Sequence, residues 1–292
     1  MSANRSIKTF STATLLLLAS VAAHAQDTDG TRPRVQQVTG FSAPEAVRYD
    51  PDQDVFFVSN FNGDPSGDSN AFVSKVSAEG EILDLKFMIG TDEAPFHGGR
   101  GMYIQGDGLW VADAGGLHRF DRRSGAHLEF VDFSALEPGF LNDIVLGADD
   151  NLYVTDTGTS RIYRVADGKV TVAADTPFRA NGITLNPNNG RLLLAPWEGS
   201  NQLVEWDPET GRFHTLVSFD GGGNYDGIEV IGATIVAASQ ADRRLHLIRD
   251  GRDRGKIDLG GEPADIGFDT RRQRAAVPYV ALDRVDLIDW FD

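Results

Sequence analysis

The chain has 292 residues, of which 27 are Lys or Arg and 43 are Asp or Glu, so its formal net charge is −16. This acidity argues against a nucleic-acid partner, because neutralising backbone phosphates requires a basic face and the sequence has none. The sequence contains no cysteine, which excludes disulfide bonds, thiolate metal sites and cysteine nucleophiles. Any metal site must therefore use oxygen or imidazole ligands.

The N-terminal segment is typical of a secretory signal peptide. A basic start precedes a short apolar run over residues 13–23, and the small–x–small sequence AHA at residues 23–25 indicates a cleavage site. The run is too short for a comfortable membrane span, and an uncleaved anchor is the alternative. We therefore predict a signal peptide over residues 1–25 and a single domain over residues 26–292, in a periplasmic or secreted protein without a membrane span after cleavage.

A repeating unit organises the rest of the chain, and its six copies start 38 to 55 residues apart. The equivalent first positions are Glu45, Arg100, Asn142, Asn181, Asp226 and Ala264. Each copy alternates short Val- and Leu-rich runs with Asp, Asn and Gly turns, and no copy has a sustained apolar stripe at helical spacing. Four short strands in a unit of about 40 residues predict an all-β, six-bladed β-propeller. A sandwich of short strands is the alternative.

The two ends of the predicted domain complement each other. The sixth copy has only three apolar runs, the last over residues 285–288, whereas an unassigned β run over residues 34–39 precedes the first copy. Pairing the N-terminal run with the last blade would complete that blade and protect two sheet edges. We therefore predict that the N-terminal strand closes the ring.

The first residue of each copy is expected at one mouth of the central channel, because the innermost strand of each blade lines that channel. Four of these residues are short oxygen donors: Glu45, Asn142, Asn181 and Asp226. Asn and Asp before Gly are also ordinary turn formers. A shared register with Glu45, which has no turn role, favours a calcium site, since calcium takes about 6 to 8 oxygen ligands. Zn²⁺, Mn²⁺ and Mg²⁺ are the alternative ions.

Three other features lie near the predicted mouth. Arg100 could bind a substrate carboxylate or phosphate bidentately, or reach outward to the acidic surface. His97 could act as a general base, or could be an ordinary loop histidine. The Gly-rich insertion over residues 61–70 could cover the mouth, or could be a surface loop.

The loops that leave the second strands face the same mouth. The repeat register places there Asn60, Asp113, Asp156, Trp197, Ser239 and Tyr279. Trp197 and Tyr279 could form an apolar wall for a ligand. Asp113 and Asp156 recur in equivalent places, so a repeated turn role is expected for them rather than catalysis.

The sequence around the four oxygen donors resembles the gluconolactonase, regucalcin and luciferin-regenerating-enzyme family. The motifs are PEAVRYDP around Glu45, LNDIVL around Asn142, RANGITLNP around Asn181 and YDGIEV around Asp226. The resemblance spans essentially the whole predicted domain and implies that Glu45, Asn181 and Asp226 hold a divalent metal. It also implies that Asn142 is a ligand or a substrate contact. The family has no general counterpart of Arg100.

The resemblance implies a metal-dependent hydrolase of a small lactone or related ester, and we expect it to be a monomer. Asp226 is the first candidate for the base that takes a proton from water, and His97 is the second. One alternative is a non-catalytic propeller that binds a ligand or a protein. Another is a phosphotriesterase-like hydrolase that uses the same metal site.

Overall fold

The computed structural model describes residues 33–289, which form six antiparallel sheets of four strands each. Runs rich in Val, Ile, Leu and aromatic residues form the strands. Asp, Asn and Gly residues with positive φ lie between many of them, such as Asp150 (φ 59°) and Gly168 (φ 72°). The six-bladed all-β prediction is confirmed. The predicted signal peptide lies outside the described residues.

The first three blades follow the chain order strictly after the N-terminal strand β1 (Val35–Thr39). Blade 1 contains β2 (Pro44–Asp50), β3 (Val55–Asn60), β4 (Phe72–Ser77) and β5 (Ile82–Ile89). Blade 2 contains β6 (Met102–Gln105), β7 (Gly108–Ala112), β8 (Gly116–Asp121) and β9 (His127–Asp132). Blade 3 contains β10 (Leu141–Leu146), β11 (Leu152–Asp156), β12 (Arg161–Ala166) and β13 (Lys169–Asp175).

The remaining blades repeat this plan until the last, which is completed by β1. Blade 4 contains β14 (Arg179–Leu185), β15 (Leu192–Glu198), β16 (Gln202–Asp207) and β17 (Arg212–Ser218). Blade 5 contains β18 (Tyr225–Ile231), β19 (Thr234–Ser239), β20 (Arg244–Arg249) and β21 (Arg252–Asp258). Blade 6 contains β22 (Gly267–Asp269), β23 (Arg274–Tyr279), β24 (Arg284–Asp289) and β1. Two 3₁₀ turns cover Ser134–Leu136 and Val280–Leu282.

The ring closes as the sequence predicts. Strand β1 pairs antiparallel with β24, from Val35 opposite Ile288 to Thr39 opposite Arg284. This pairing supplies the fourth strand of blade 6 and covers an edge that would otherwise expose unpaired backbone groups. The first strands of neighbouring blades contact one another around the ring, which makes β2, β6, β10, β14, β18 and β22 the innermost strands.

Six hydrophobic clusters fill the six interfaces between neighbouring blades. In the interface between blades 3 and 4, for example, the rings of Tyr153 and Trp206 meet edge to face at 5.6 Å between centroids. The core therefore surrounds the channel, and the innermost strands have a rigid support behind them. Within residues 33–289, no helix is long and apolar enough to cross a membrane.

Candidate active site

The four oxygen donors lie at the start of four innermost strands, where each strand pairs irregularly with its neighbour. Glu45 and Asn142 are the second residues of β2 and β10, Asn181 is the third of β14 and Asp226 is the second of β18. In every case the pairing with the next strand shifts register at that residue. Such bulges redirect side chains. The same backbone irregularity therefore orients the donor side chain in each of the four blades.

The glycines after Asn181 and Asp226 allow the innermost strands to approach closely, and they do not form turns. A Cβ on Gly182 would collide with the carbonyl oxygen of Asp226, and a Cβ on Gly227 would collide with the backbone nitrogen of Ile266. Both glycines lie inside strands. The turn-former interpretation of these Asn-Gly and Asp-Gly pairs therefore does not apply here.

The four donors line one cavity of about 450 Å³ at the channel mouth, where the innermost strands begin. All four side chains are buried, and one oxygen of each has no hydrogen-bond partner among the described residues. These atoms are Glu45 Oε2, Asn142 Oδ1, Asn181 Oδ1 and Asp226 Oδ1. Buried oxygens without a donor are costly to a fold, so four of them on one cavity indicate a place for a ligand.

Two amides fix the Asp226 carboxylate. Gln240 Nε2 donates to Asp226 Oδ2 at 3.0 Å, and the side chain of Asn181 also hydrogen bonds to Asp226. The side-chain nitrogen of Asn181 donates to this carboxylate, and the side-chain oxygen Oδ1 of Asn181 has no partner among the described residues. The network thus orients one oxygen of Asp226 and one of Asn181 together.

Burial controls the charge of this site. Burial raises the pKa of Glu45 well above its usual value, the Asp226 charge raises it further, and Arg100 partly offsets both. Burial, followed by the charge of Asp143, raises the pKa of Asp226 to about 7. Both carboxyls therefore keep their protons to higher pH than exposed carboxyls do, and a positive charge placed beside them would oppose this shift.

The raised pKa of Asp226 predicts a pH-dependent stability in metal-free protein. Between the ordinary value of 3.8 and the folded value of about 7, the folded state binds more protons than the unfolded state. The contribution of Asp226 to the free energy of unfolding is then full at low pH and is lost as pH rises towards 7. Urea denaturation from pH 5 to 7.5 gives the free energy of unfolding of wild type and of Asp226→Asn, and the difference between the two reports the contribution of Asp226. The stability of wild type relative to the variant should fall as pH rises. A difference that stays constant or grows with pH would contradict the raised pKa of Asp226.

Arg100 is buried against the rings of Phe61 and Phe140, which line the cavity, and it is not itself among the described lining residues. It is 1% exposed, and its guanidinium carbon lies 3.8 Å from the centroid of the Phe140 ring. Its Nη2 donates to the carbonyl oxygen of Pro65 at 2.7 Å. Burial lowers its pKa, while the charge of Glu45 opposes that shift. These contacts give Arg100 a role in positioning the walls of the site.

His97 lies beside the mouth but is not among the residues described as lining the cavity. Its Nδ1 is 3.2 Å from Ser69 Oγ, and its backbone nitrogen donates to Asp113 Oδ1 at 3.0 Å. The insertion over residues 61–70 reaches the mouth, since Phe61 lines the cavity and Pro65 contacts Arg100. Phe61, the first residue of the insertion, thus forms part of the cavity wall, while His97 contacts Ser69 near the other end of the insertion.

Residues that end the second strands hold the loops that enter the innermost strands of the same blades. Asp113 accepts hydrogen bonds from the backbone of His97 and residue 98, and Asp156 accepts them from residue 139 and Phe140. Asp156 also accepts hydrogen bonds from the backbone of residue 158 and Thr159, as the predicted turn role requires, and both aspartates in addition fix a more distant loop. Trp197 lines the cavity as expected. Tyr279 is only 1% exposed and does not line it, because its ring lies in the blade-6 interface and the following residues 280–281 form that wall instead.

A group of buried and partly buried charges in the channel was not predicted from the sequence. Arg48 donates to the carbonyl oxygen of Met102 at 2.8 Å and to Glu229, and its Nη2 lies 3.8 Å from Asp265 Oδ2. One guanidinium therefore links blades 1, 2, 5 and 6 across the channel. Asp143 completes the group, and burial raises its pKa to about 6 although Arg48 opposes the shift. The missed signal was a set of charged residues that follow the mouth positions by one or three residues.

Within residues 33–289, no group of three or more His, Cys, Asp or Glu side chains has a metal-binding arrangement. The four donors at the mouth fall outside that pattern because only Glu45 and Asp226 are carboxylates, and Asn142 and Asn181 supply amide oxygens. Oxygen ligands of this mixed kind suit hard cations such as calcium.

Solved structures share this fold across most of the chain. A gluconolactonase from Xanthomonas campestris is 17% identical with a TM-score of 0.67, covering 88% of this chain and 89% of that one. A calcium-binding regucalcin from Agrobacterium tumefaciens is 17% identical with a TM-score of 0.63, covering 86% and 93%. A streptogramin B lyase is 13% identical with a TM-score of 0.63, covering 88% and 97%. No protein-family model and no curated protein matches the sequence.

The first two of these structures carry names from the family that the four motifs resemble. The resemblance is therefore confirmed at the level of the fold. The lyase shows that propellers of similar shape carry other chemistry. Function must consequently be argued from the side chains at the mouth.

Proposed function

We propose that the protein is a divalent-metal-dependent hydrolase of a small lactone or related ester, acting at the channel mouth. The observation that carries this proposal is the set of four buried oxygens, one from each of four blades, that line one cavity without a hydrogen-bond partner among the described residues. A non-catalytic scaffold has no need of such a costly set. Calcium is the preferred ion, because the donors are carboxylate and amide oxygens.

In this proposal Glu45, Asn181 and Asp226 hold the ion, and Asn142 is a further ligand or contacts the substrate. Two carboxylates leave a divalent ion with little net charge. A bound divalent cation supplies a Lewis acid that polarises a carbonyl group and stabilises negative charge on its oxygen.

Asp226 is the best-placed base. Its carboxylate accepts the proton that water loses as the water oxygen bonds to the carbonyl carbon, and it returns that proton to the alkoxide released when the ring C–O bond breaks. Gln240 holds the carboxylate in place throughout. Burial and the charge of Asp143 raise the pKa of Asp226, which opposes the lowering that a bound cation produces. His97 is less suited, since its ring contacts Ser69 rather than the cavity.

Two further observations support the proposal, one on the size of the substrate and one on the location of the protein. A volume of about 450 Å³ lies in the range of ligand pockets, roughly 300 to 1,000 Å³. The signal-peptide pattern at residues 1–25 supports a periplasmic or secreted location. The names of the gluconolactonase and the calcium-binding regucalcin favour the same reaction and the same ion for this chain.

The test is to measure hydrolysis of a panel of lactones by the purified protein. The protons that the carboxylic acid products release report the rate. Activity should be present with calcium, be lost after chelation and return when calcium is restored. Lactone hydrolysis that chelation leaves untouched would refute metal dependence. Hydrolysis of phosphotriesters but of no lactone would support the phosphotriesterase-like alternative, and hydrolysis of neither would support a binding protein.

A further inference from the structure

We infer that the substrate has an apolar body, so the preferred lactones carry an alkyl or aryl group and not a ring of hydroxyls. This inference rests on the proposed function and concerns the walls of the same cavity. Apart from the four oxygen donors at its base, the cavity is bounded largely by apolar side chains: Phe61, Phe140, Trp197, Val280 and Ala281.

The aromatic walls are held in place. The Phe140 ring stacks on the buried guanidinium of Arg100, and the Phe140 backbone nitrogen donates to Asp156 Oδ1 at 2.8 Å. Arg100 also contacts the Phe61 ring, with its guanidinium carbon 5.7 Å from the ring centroid. A fixed apolar surface binds an apolar group without first having to order itself.

Besides the four donors, the described residues of the wall include four polar side chains, and three of them already donate hydrogen bonds to the protein; the fourth, Glu262, is 56% exposed and lies 3.4 Å from Arg243. Thr157 Oγ1 donates to the carbonyl oxygen of Ala180 at 2.8 Å. Arg179 Nε donates to the carbonyl oxygen of Thr157 at 2.9 Å, and its Nη1 donates to Glu198 at 3.0 Å. Gln240 donates to Asp226. The several hydroxyls of a sugar lactone would therefore have to share the few hydrogen-bonding positions that these groups leave open.

The two kinds of substrate should differ strongly in kcat/KM. A buried hydroxyl without a partner costs roughly a factor of ten in binding, and several such hydroxyls multiply the loss. Each methylene that enters the apolar part of the cavity should instead gain about two- to fourfold. The gain must stop once the chain fills the cavity, whose volume lies in the lower half of the usual range.

The experiment compares δ-valerolactone, its 5-alkyl derivatives of increasing length and D-glucono-δ-lactone in the calcium-loaded protein. The inference predicts that kcat/KM rises along the alkyl series to a plateau and exceeds the value for the sugar lactone by at least about 100-fold. Trp197→Ala should flatten the alkyl series. Leu128→Ala, which shortens an apolar side chain exposed on outer strand β9, should keep it. A sugar lactone hydrolysed as fast as the alkyl lactones would overturn the inference and leave the proposed function standing.

Binding of unreactive analogues separates the inference from the proposed function. Calorimetry with 6-alkyl-δ-lactams and with a polyhydroxylated δ-lactam measures affinity without any chemical step. Tighter binding of the alkyl lactams supports the apolar-ligand assignment even if no lactone is hydrolysed, in which case only the hydrolase proposal fails. Equal binding, or tighter binding of the hydroxylated lactam, contradicts the assignment whatever the enzymatic result.

Discussion

If the protein binds calcium as proposed, calcium should raise the melting temperature of wild type. Replacing Glu45 by Gln is expected to abolish that rise and to lower kcat/KM for the best lactone by about 10³-fold. The substitution keeps the shape of the side chain but removes one of only two carboxylates among the four donors at the mouth. Losing the ion removes several kcal/mol of transition-state stabilisation, and about 4 kcal/mol corresponds to roughly 10³-fold in rate. Because burial already favours the neutral form of Glu45 in the absence of metal, the variant should fold.

Glu262→Gln is the matched control. Glu262 also lines the cavity, but its side chain is 56% exposed and lies 3.4 Å from Arg243. Its substitution should leave the calcium-induced rise in melting temperature in place. If Glu45→Gln keeps that rise, or if both variants lose it equally, the assignment of Glu45 as a ligand is wrong.

Gly182→Ala is expected to abolish the calcium response through the backbone, although residue 182 carries no functional group. The added Cβ would collide with the carbonyl oxygen of Asp226 and would lie 3.1 Å from Ile228 Cγ2. The innermost strands β14 and β18 must then separate, which moves Asn181 away from Asp226. Overpacking of this kind costs about 1–3 kcal/mol of stability. The free energy of calcium binding at the proposed site should fall by more than the free energy of unfolding.

Urea denaturation and calcium titration of the same variant measure the two effects separately. Gly255→Ala is the control, because Gly255 lies on outer strand β21 and a Cβ there would be 3.7 Å from its nearest neighbour. This control should bind calcium as wild type does. Unchanged calcium affinity in Gly182→Ala would show that close approach of the two strands does not set the site.

The repeat predicted the blades, the closure of the ring and the shared position of the four oxygen donors, because all three follow from aligning the six copies. Glu45, Asn142, Asn181 and Asp226 start equivalent strands, so a common alignment places them at one mouth without any knowledge of distances. The β1 strand was predicted from the missing fourth run of the last blade, and its pairing with β24 is confirmed.

Contacts outside the register could not be predicted in this way. The sequence predicted Arg100 at the mouth but gave no sign of the Phe140 ring and the Pro65 carbonyl, which contact its guanidinium and keep it out of the cavity lining. Phe61 and Phe140 lie in the loops before and after strands, where the copies do not align. Tyr279 was misplaced as a cavity wall, since whether its ring faces the mouth or the blade interface depends on packing.

The buried charges in the channel could have been recognised from the strand pattern. Arg48, Asp143, Glu229 and Asp265 all follow a mouth position by one or three residues, the first three within innermost strands and Asp265 just before β22. Their pairing through Arg48 still required the closed ring, because the partners come from blades far apart in sequence.

Diffraction from crystals of the protein grown in calcium tests the ion most directly. We predict one ion with oxygen ligands at about 2.3 to 2.6 Å that include Glu45 Oε2, Asn181 Oδ1 and Asp226 Oδ1, with Asn142 bound directly or through water. Density showing these three oxygens bonded only to water or to protein donors would contradict the account, and so would an ion elsewhere that leaves them unbound.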